Sequence, residues 1–257
     1  GKKILHTGDF RRHGYIGKGL FPTLKKNVGE VDILITEGTM LGRSQECVIS
    51  ESEIQKNIIK ALREHKYVFA LCSSTDLDRL ATFHAACKKT GRIFLVDEYQ
   101  NRVLNVFTKY AGCKSDLFQF NAFKLINYRT VNVRNKLQKE GFLMPIRMSS
   151  GYLLKGMLDI YNDEKPWLIY SMWSGYAKEG KDYTNSDVIN IRNLFGDRIL
   201  DGTMDGVHTS GHADVETLKE NGAKVITLGR RILRKQSTLK RGGENMKKFI
   251  SFLLIAF

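Results

Sequence analysis

Two of the chain's six histidines, His208 and His212, flank Thr-Ser-Gly in the stretch "HTSGHAD". Imidazoles at this spacing can share a metal across a helical turn, grip a phosphate from a loop, or sit by chance in a polar turn. The Ser-Gly between them argues against a helix, and Asp214 has the character of an N-cap for a helix over "VETLKEN". A loop running into a helix there would point backbone N–H groups outward, which suits an anion. On these local grounds a phosphate grip by His208, Ser210 and His212 is favoured over a metal site. At the other end of the chain, "ILHTGDFRRHG" (Ile4–Gly14) places Asp9 in a turn after a strand-like run. A carboxylate there suits a metal ligand or general base, since its backbone is already fixed by the sheet edge; an ordinary turn aspartate is the plain alternative. Glu37 repeats the pattern after "DILIT". His6 and His13 are near enough to join such a site, or to be surface histidines.

The elements that would position these residues alternate between strand and helix. "VDILITEG", "YVFALCSS", "RIFLVDEY" and "KPWLIYSM" read as short apolar strands. Ser50 and Glu53 make a capping box, after which Ile54, Ile58, Ile59 and Leu62 form one helical face reaching His65. "TDLDRLATFHAACKKTG" reads as a helix stopped by Gly91, another is expected around Asn101–Ala111, and "SDVINIRNLFG" ends at Gly196. The stretch between the last two is less regular. Such alternation argues a parallel α/β sheet. Ligands on these sheets collect at the carboxyl ends of strands, where Glu37, Ser73, Ser74, Ser174 and Gly175 fall.

Composition narrows the partners. Lys plus Arg number 41 against 27 Asp plus Glu, giving a net charge of +14 and a pI near 9.6. That excess favours a polyanion such as nucleic acid or an anionic surface, or serves solubility alone. Cys47, Cys72, Cys87 and Cys113 show no C-x-x-C spacing, so buried free thiols in a reducing cytoplasm are expected rather than disulfides or a zinc knuckle. No signal peptide or membrane span stands at the start of the chain.

Four stretches together resemble the β-CASP branch of the metallo-β-lactamase superfamily, most of all its ribonuclease J-like members. "HTGDFRRHG" is similar to the family's strand-end motif, whose aspartate, here Asp9, bridges two metals. "DILITEGT" is similar to the first β-CASP motif, where the acid, here Glu37, orients a metal-bound histidine. "FALCSSTDLDRLATFHAACKKTGR" resembles the insert's strand, Ser-rich turn and Arg-bearing helix, giving Ser73, Ser74 and Arg79 as nucleic-acid contacts. "HTSGHA" resembles the second β-CASP motif, in which His212 meets the scissile phosphate with His208 and Ser210 beside it. The resemblance covers roughly Lys3 to Leu218. It implies a partial metallo-β-lactamase αββα sandwich at 1–40, a Rossmann-like β-CASP insert with a parallel sheet at 41–198, a return to the first domain at 199–228, and a tail outside the family pattern at 229–257.

The same resemblance implies a cytoplasmic, zinc-dependent nuclease, with RNA favoured over DNA and Asp9, Glu37 and His212 as its catalytic residues. It also implies an H-x-H-x-D-H metal motif upstream of Ile4, which a separate N-terminal segment could supply. After "AKVITLGRRILRK" the expected final histidine does not appear. Asp9 is then the family's one remaining metal ligand, and one carboxylate cannot hold two zinc ions. The expectation is a catalytically incomplete chain, with a non-catalytic nucleic-acid-binding remnant as the alternative. "MKKFISFLLIAF" (Met246–Phe257) has the pattern of a protein start, consistent with a reading frame that slipped after Asn221 and a tail that adds nothing to the fold. An unrelated doubly wound nucleotide-binding protein would want a Gly-rich loop after the first strand, and "GYIGKGLF" is the nearest approach to one.

Overall fold

The structure is a computed structural model, and it describes residues 1–37, 39–42, 48–202, 204–213 and 255–256. Asp214 as an N-cap, the helix over "VETLKEN", the strand in "AKVITLGRRILRK" and Cys47 lie outside the described residues. The chain divides into two compact units, one formed by Gly1–Val48 with Ser210–Phe257 and the other by Ile49–Thr209.

In the first unit, β1 (Ile4–His6) leads through α1 (Leu20–Asn27) to β2 (Ile33–Ile35). The two strands pair in parallel, Ile4 with Ile33 and His6 with Ile35. The Asp32 carboxylate accepts the Lys3 backbone N–H at 2.8 Å, which pins the register from one end. Ile255–Ala256 pairs antiparallel with the other side of β2, at Leu34 and Ile33. Two residues of the tail, which was expected to stand apart from the fold, thus pair with a strand of the first unit.

The second unit carries a sheet of six strands, all parallel. In chain order they are β3 (Tyr67–Leu71), β4 (Ile93–Val96), β5 (Phe123–Lys124), β6 (Phe142–Ile146), β7 (Trp167–Tyr170) and β8 (Ile199–Asp201). In space they run β5-β4-β6-β3-β7-β8. This order departs from the Rossmann-like expectation, because β6 stands between β3 and β4. Since β8 is a sheet strand, the second unit continues to Thr209 rather than ending at 198.

Helices α2 (Glu51–Glu64), α3 (Leu77–Thr90), α4 (Glu98–Phe107), α5 (Val131–Glu140), α6 (Gly151–Ile160) and α7 (Ser186–Phe195) cover both faces. Alternation along β3 sorts the core. Tyr67, Phe69 and Leu71 pack with residues of α5, α6 and α7. Val68, Ala70 and Cys72 pack with residues of α2, α3 and α4. Strand connections running one way across a parallel sheet put their helices on one face, and those running back use the other.

Local signals explain most boundaries. Ser50 Oγ accepts from Glu53 N at 3.2 Å, starting α2, and Ile54, Ile58 and Leu62 are buried along its inner face. Gly91 ends α3 at φ +69°. The helix expected from Asn101 begins earlier, because Asp97 caps Gln100 N at 2.7 Å, and it closes with a π turn over Thr108–Gly112. Strand β6 is the element the sequence concealed. "FLMPI" contains Pro145, and proline is confined to positions without a ladder N–H. Pairing with β4 ends at Leu143, while Phe142 N and Ile146 O bond the β3 side. Alternation turns the Pro145 nitrogen toward β4 beyond the last paired residue, where no donor is required. Among the described residues no helix is long and apolar enough to cross a membrane.

Candidate functional site

Parallel pairing of β1 and β2 brings their carboxyl ends side by side, so the chain just beyond each strand delivers an acid to one edge. Asp9 follows the turn at Gly8, whose φ of +62° suits glycine, and Glu37 lies beyond Ile35. His212 completes the group: ligand atoms of Asp9, Glu37 and His212 lie within 4.8 Å of one another.

The three are not equivalent. Glu37 is 4% exposed and Asp9 72%. Glu37 Oε1 accepts the backbone N–H of Phe10 at 2.9 Å and of Ala213 at 2.9 Å, while Oε2 meets His212 Nδ1 at 2.8 Å. Burial alone would raise the Glu37 pKa, but these donors outweigh it and hold the carboxyl below its ordinary range. Asp9 Oδ1 stands 3.9 Å from the same ring nitrogen. The loop is braced from behind, with Ser210 Oγ accepting His212 N at 3.2 Å and His13 Nε2 set 2.6 Å from Ser210 O. His6 turns its Nδ1 to the Gly8 N–H at 3.1 Å.

The resemblance gave Glu37 a metal-bound histidine to orient, and in this chain it holds His212. The start of the helix whose N–H groups were expected to face an anion lies outside the described residues; in the loop before it, His208 N bonds Gly202 O, His212 N bonds Ser210 Oγ and Ala213 N bonds Glu37. Ser210 is buried.

The cluster does not fit a pair of zinc ions. A zinc site needs about three protein ligands per ion. Among the described residues Asp9, Glu37 and His212 are the group that could meet a metal. A metal at His212 Nδ1 would displace the hydrogen bond to Glu37, and a metal at Glu37 would compete with three donors. Asp9 is the member whose carboxylate is open to solvent.

The remaining expected contacts belong to the second unit. Ser73 is exposed and Ser74 half-buried beyond β3, with Ser73 Oγ 3.2 Å from Thr75 Oγ1. The start of α3 beside them is filled by Asp76, whose carboxylate accepts Arg79 N at 3.1 Å. A carboxylate in that position takes the place an anion would occupy. Arg79, expected on nucleic acid, is 1% exposed. Its Nε and Nη2 bond Glu51 at 3.1 and 3.0 Å, Nη1 donates to Val207 O at 3.2 Å, and it also contacts Ser171 Oγ. Arg79 is a structural cation that ties α2, α3 and the segment after β8 together. His208 sits half-buried with its Cβ against Gly202, where any side chain at 202 would collide with it at 2.5 Å.

The sequence reading missed the Phe10 and Ala213 donors to Glu37, since backbone amides leave no residue-type signature. It also missed Asp97, although "FLVDE" repeats the strand-then-acid pattern that singled out Glu37. Comparison with models of known protein families finds no match, and comparison with curated proteins finds none.

Proposed function

We propose that this chain acts on nucleic acid, RNA before DNA, as a protein of the β-CASP metallo-β-lactamase type, with His212, held by Glu37, meeting a backbone phosphate. The Glu37–His212 pair carries this reading. A buried carboxylate on Nδ1 fixes the tautomer and direction of the ring, so that Nε2 is the nitrogen a phosphate oxygen would meet. A histidine held in this way can donate a hydrogen bond or a proton to phosphate. The parallel β1–β2 edge with an acid beyond each strand supports a metallo-β-lactamase-like first unit, and the +14 charge supports a polyanionic partner. Because Glu37 and His212 are committed to each other, binding without cleavage is the form of the activity that the described residues support best.

Labelled single-stranded RNA, titrated at two salt concentrations, tests this. Binding should weaken steeply with salt, since each phosphate contact releases condensed counterions. His212→Ala should weaken binding at low salt by up to about tenfold, the value of one charge-assisted hydrogen bond. Removing several surface lysines should cost more. Binding that ignores salt, or is unchanged in both His212→Ala and Glu37→Gln, would overturn the proposal. Cleavage by wild type that Asp9→Ala abolishes would establish catalysis as well.

A further inference from the structure

A second site is built into the sheet unit, at the carboxyl ends of β4 and β6. These neighbouring strands send their chain to opposite faces, β4 into α4 and β6 into α6. Loops diverge at such a point and leave a crevice, which is where open parallel sheets take ligands. Here the crevice has a volume of about 360 Å³ and is lined by Asp97, Glu98, Tyr99, Arg102 and Arg147. That lies at the small end of ligand-pocket sizes, suited to one small ligand.

Arg147 is held rigidly. Its Nη2 bonds Asp97 Oδ2 at 2.6 Å, its guanidinium lies 4.2 Å over the Tyr99 ring, and its backbone N–H donates to Ser150 Oγ at 3.1 Å. A guanidinium carries five N–H donors, so most of those on Arg147 remain for a ligand. Glu98 receives Arg102 at 2.9 Å and Lys124 at 2.6 Å. Both carboxylates are thus bonded to cations, and Arg102, Lys124 and Arg147 leave one positive charge in excess. The first turn of α4 is occupied by the Asp97 carboxylate on Gln100 N, so an anion here would be met by the guanidinium groups. Tyr99 is 49% exposed and offers an aromatic surface beside them. Gln100 Nε2 donates to Ser74 O at 3.1 Å, fixing the Ser73–Ser74 turn to the same edge.

A half-exposed aromatic ring with the Arg147 guanidinium held over one face and the exposed Arg102 in the same lining matches a ligand that is planar at one end and anionic at the other. We infer that this crevice binds a free nucleoside monophosphate, its base on Tyr99 and its phosphate on Arg102 and Arg147. The site lies wholly within the second unit and shares no residue with the Glu37–His212 pair, so it stands or falls separately from the RNA reading.

Calorimetric titration of the full chain with AMP tests it, alongside adenosine, ribose 5-phosphate, inorganic phosphate and an unphosphorylated RNA oligonucleotide. AMP should bind, with adenosine and ribose 5-phosphate each weaker. Tyr99→Ala should weaken AMP roughly 5- to 150-fold, the range of one lost stack. Arg102→Ala, at an exposed position where folding is safe, should weaken AMP and ribose 5-phosphate but not adenosine. His212→Ala should leave AMP binding unchanged. No heat of binding at millimolar AMP, AMP affinity unaffected by Tyr99→Ala, phosphate competing as well as AMP, or oligonucleotide binding that depends on Tyr99 without AMP binding would each overturn the inference.

Discussion

Arg79→Met is the most informative single perturbation of the sheet unit. Arg79 and Glu51 are each 1% exposed and face each other across α2 and α3. Burial works against the Arg79 charge, yet Glu51 more than restores it and the guanidinium lies above its ordinary range. A raised pKa on a base gives stability that is complete below the unfolded value, so this contribution is constant at all ordinary pH. Met replaces the volume but removes two hydrogen bonds that Glu51 accepts and strands its carboxylate in the interior. Breaking one side of a buried pair costs about 3–5 kcal/mol, a large share of the roughly 5–15 kcal/mol that holds a domain folded. With a urea dependence of about 1–3 kcal/mol per molar, the midpoint should fall by roughly 1–5 M. Adding Glu51→Leu removes the stranded charge and should recover part of the loss. It should stop about 3 kcal/mol short of wild type, because the bonds to Val207 O and Ser171 remain lost and Glu51→Leu also removes the bond Thr82 Oγ1 donates to Glu51, at about 1 kcal/mol each. Urea unfolding followed by tyrosine and tryptophan fluorescence reads all three variants. A cost below about 1 kcal/mol for Arg79→Met, or a double variant as unstable as the sum of the singles, would refute the reasoning. RNA affinity lost without loss of stability would return Arg79 to the ligand.

Gly141→Ala should destabilise by roughly 2 kcal/mol or more, since φ is +69° with extended ψ and a Cβ would meet Lys66 O at 2.5 Å. Gly91→Ala, at the same φ but in open space, should cost only about 1–2 kcal/mol; equal midpoints for the two in thermal unfolding would contradict the clash. Asp163 is bonded by Tyr67 and Lys66, which outweigh its burial and hold its carboxyl below the ordinary 3.8. A depressed acid gives stability that is present above 3.8 and lost as pH falls through the lowered value. Wild type should therefore lose stability more steeply than Asp163→Asn below that pH, and parallel acid-unfolding curves would contradict this.

Much of the sheet unit is legible in one dimension because its signals are local. Ser50 caps a helix, Gly91 and Gly196 stop two others, and the apolar runs at 67–71, 93–96 and 167–170 are too short and too apolar for anything but buried strands. Asp9 and Glu37 are likewise visible as acids beyond strands, because a carboxylate at a sheet edge is a matter of residue type and position. What the sequence could not decide depends on which strands become neighbours. Pro145 reads as a breaker until β4 is seen to stop pairing at Leu143, and the β5-β4-β6-β3-β7-β8 order follows from packing across the sheet rather than from any one segment. Arg79 reads as a surface cation until Glu51 is found opposite it. His212 reads as a phosphate ligand with an open loop behind it, yet the fold directs its Nδ1 and the Ala213 N–H at Glu37. Residue type fixes which groups can ionise or donate. Only tertiary structure decides which partner each one meets, because in a desolvated interior every donor and charge must be answered by a group brought from elsewhere in the chain.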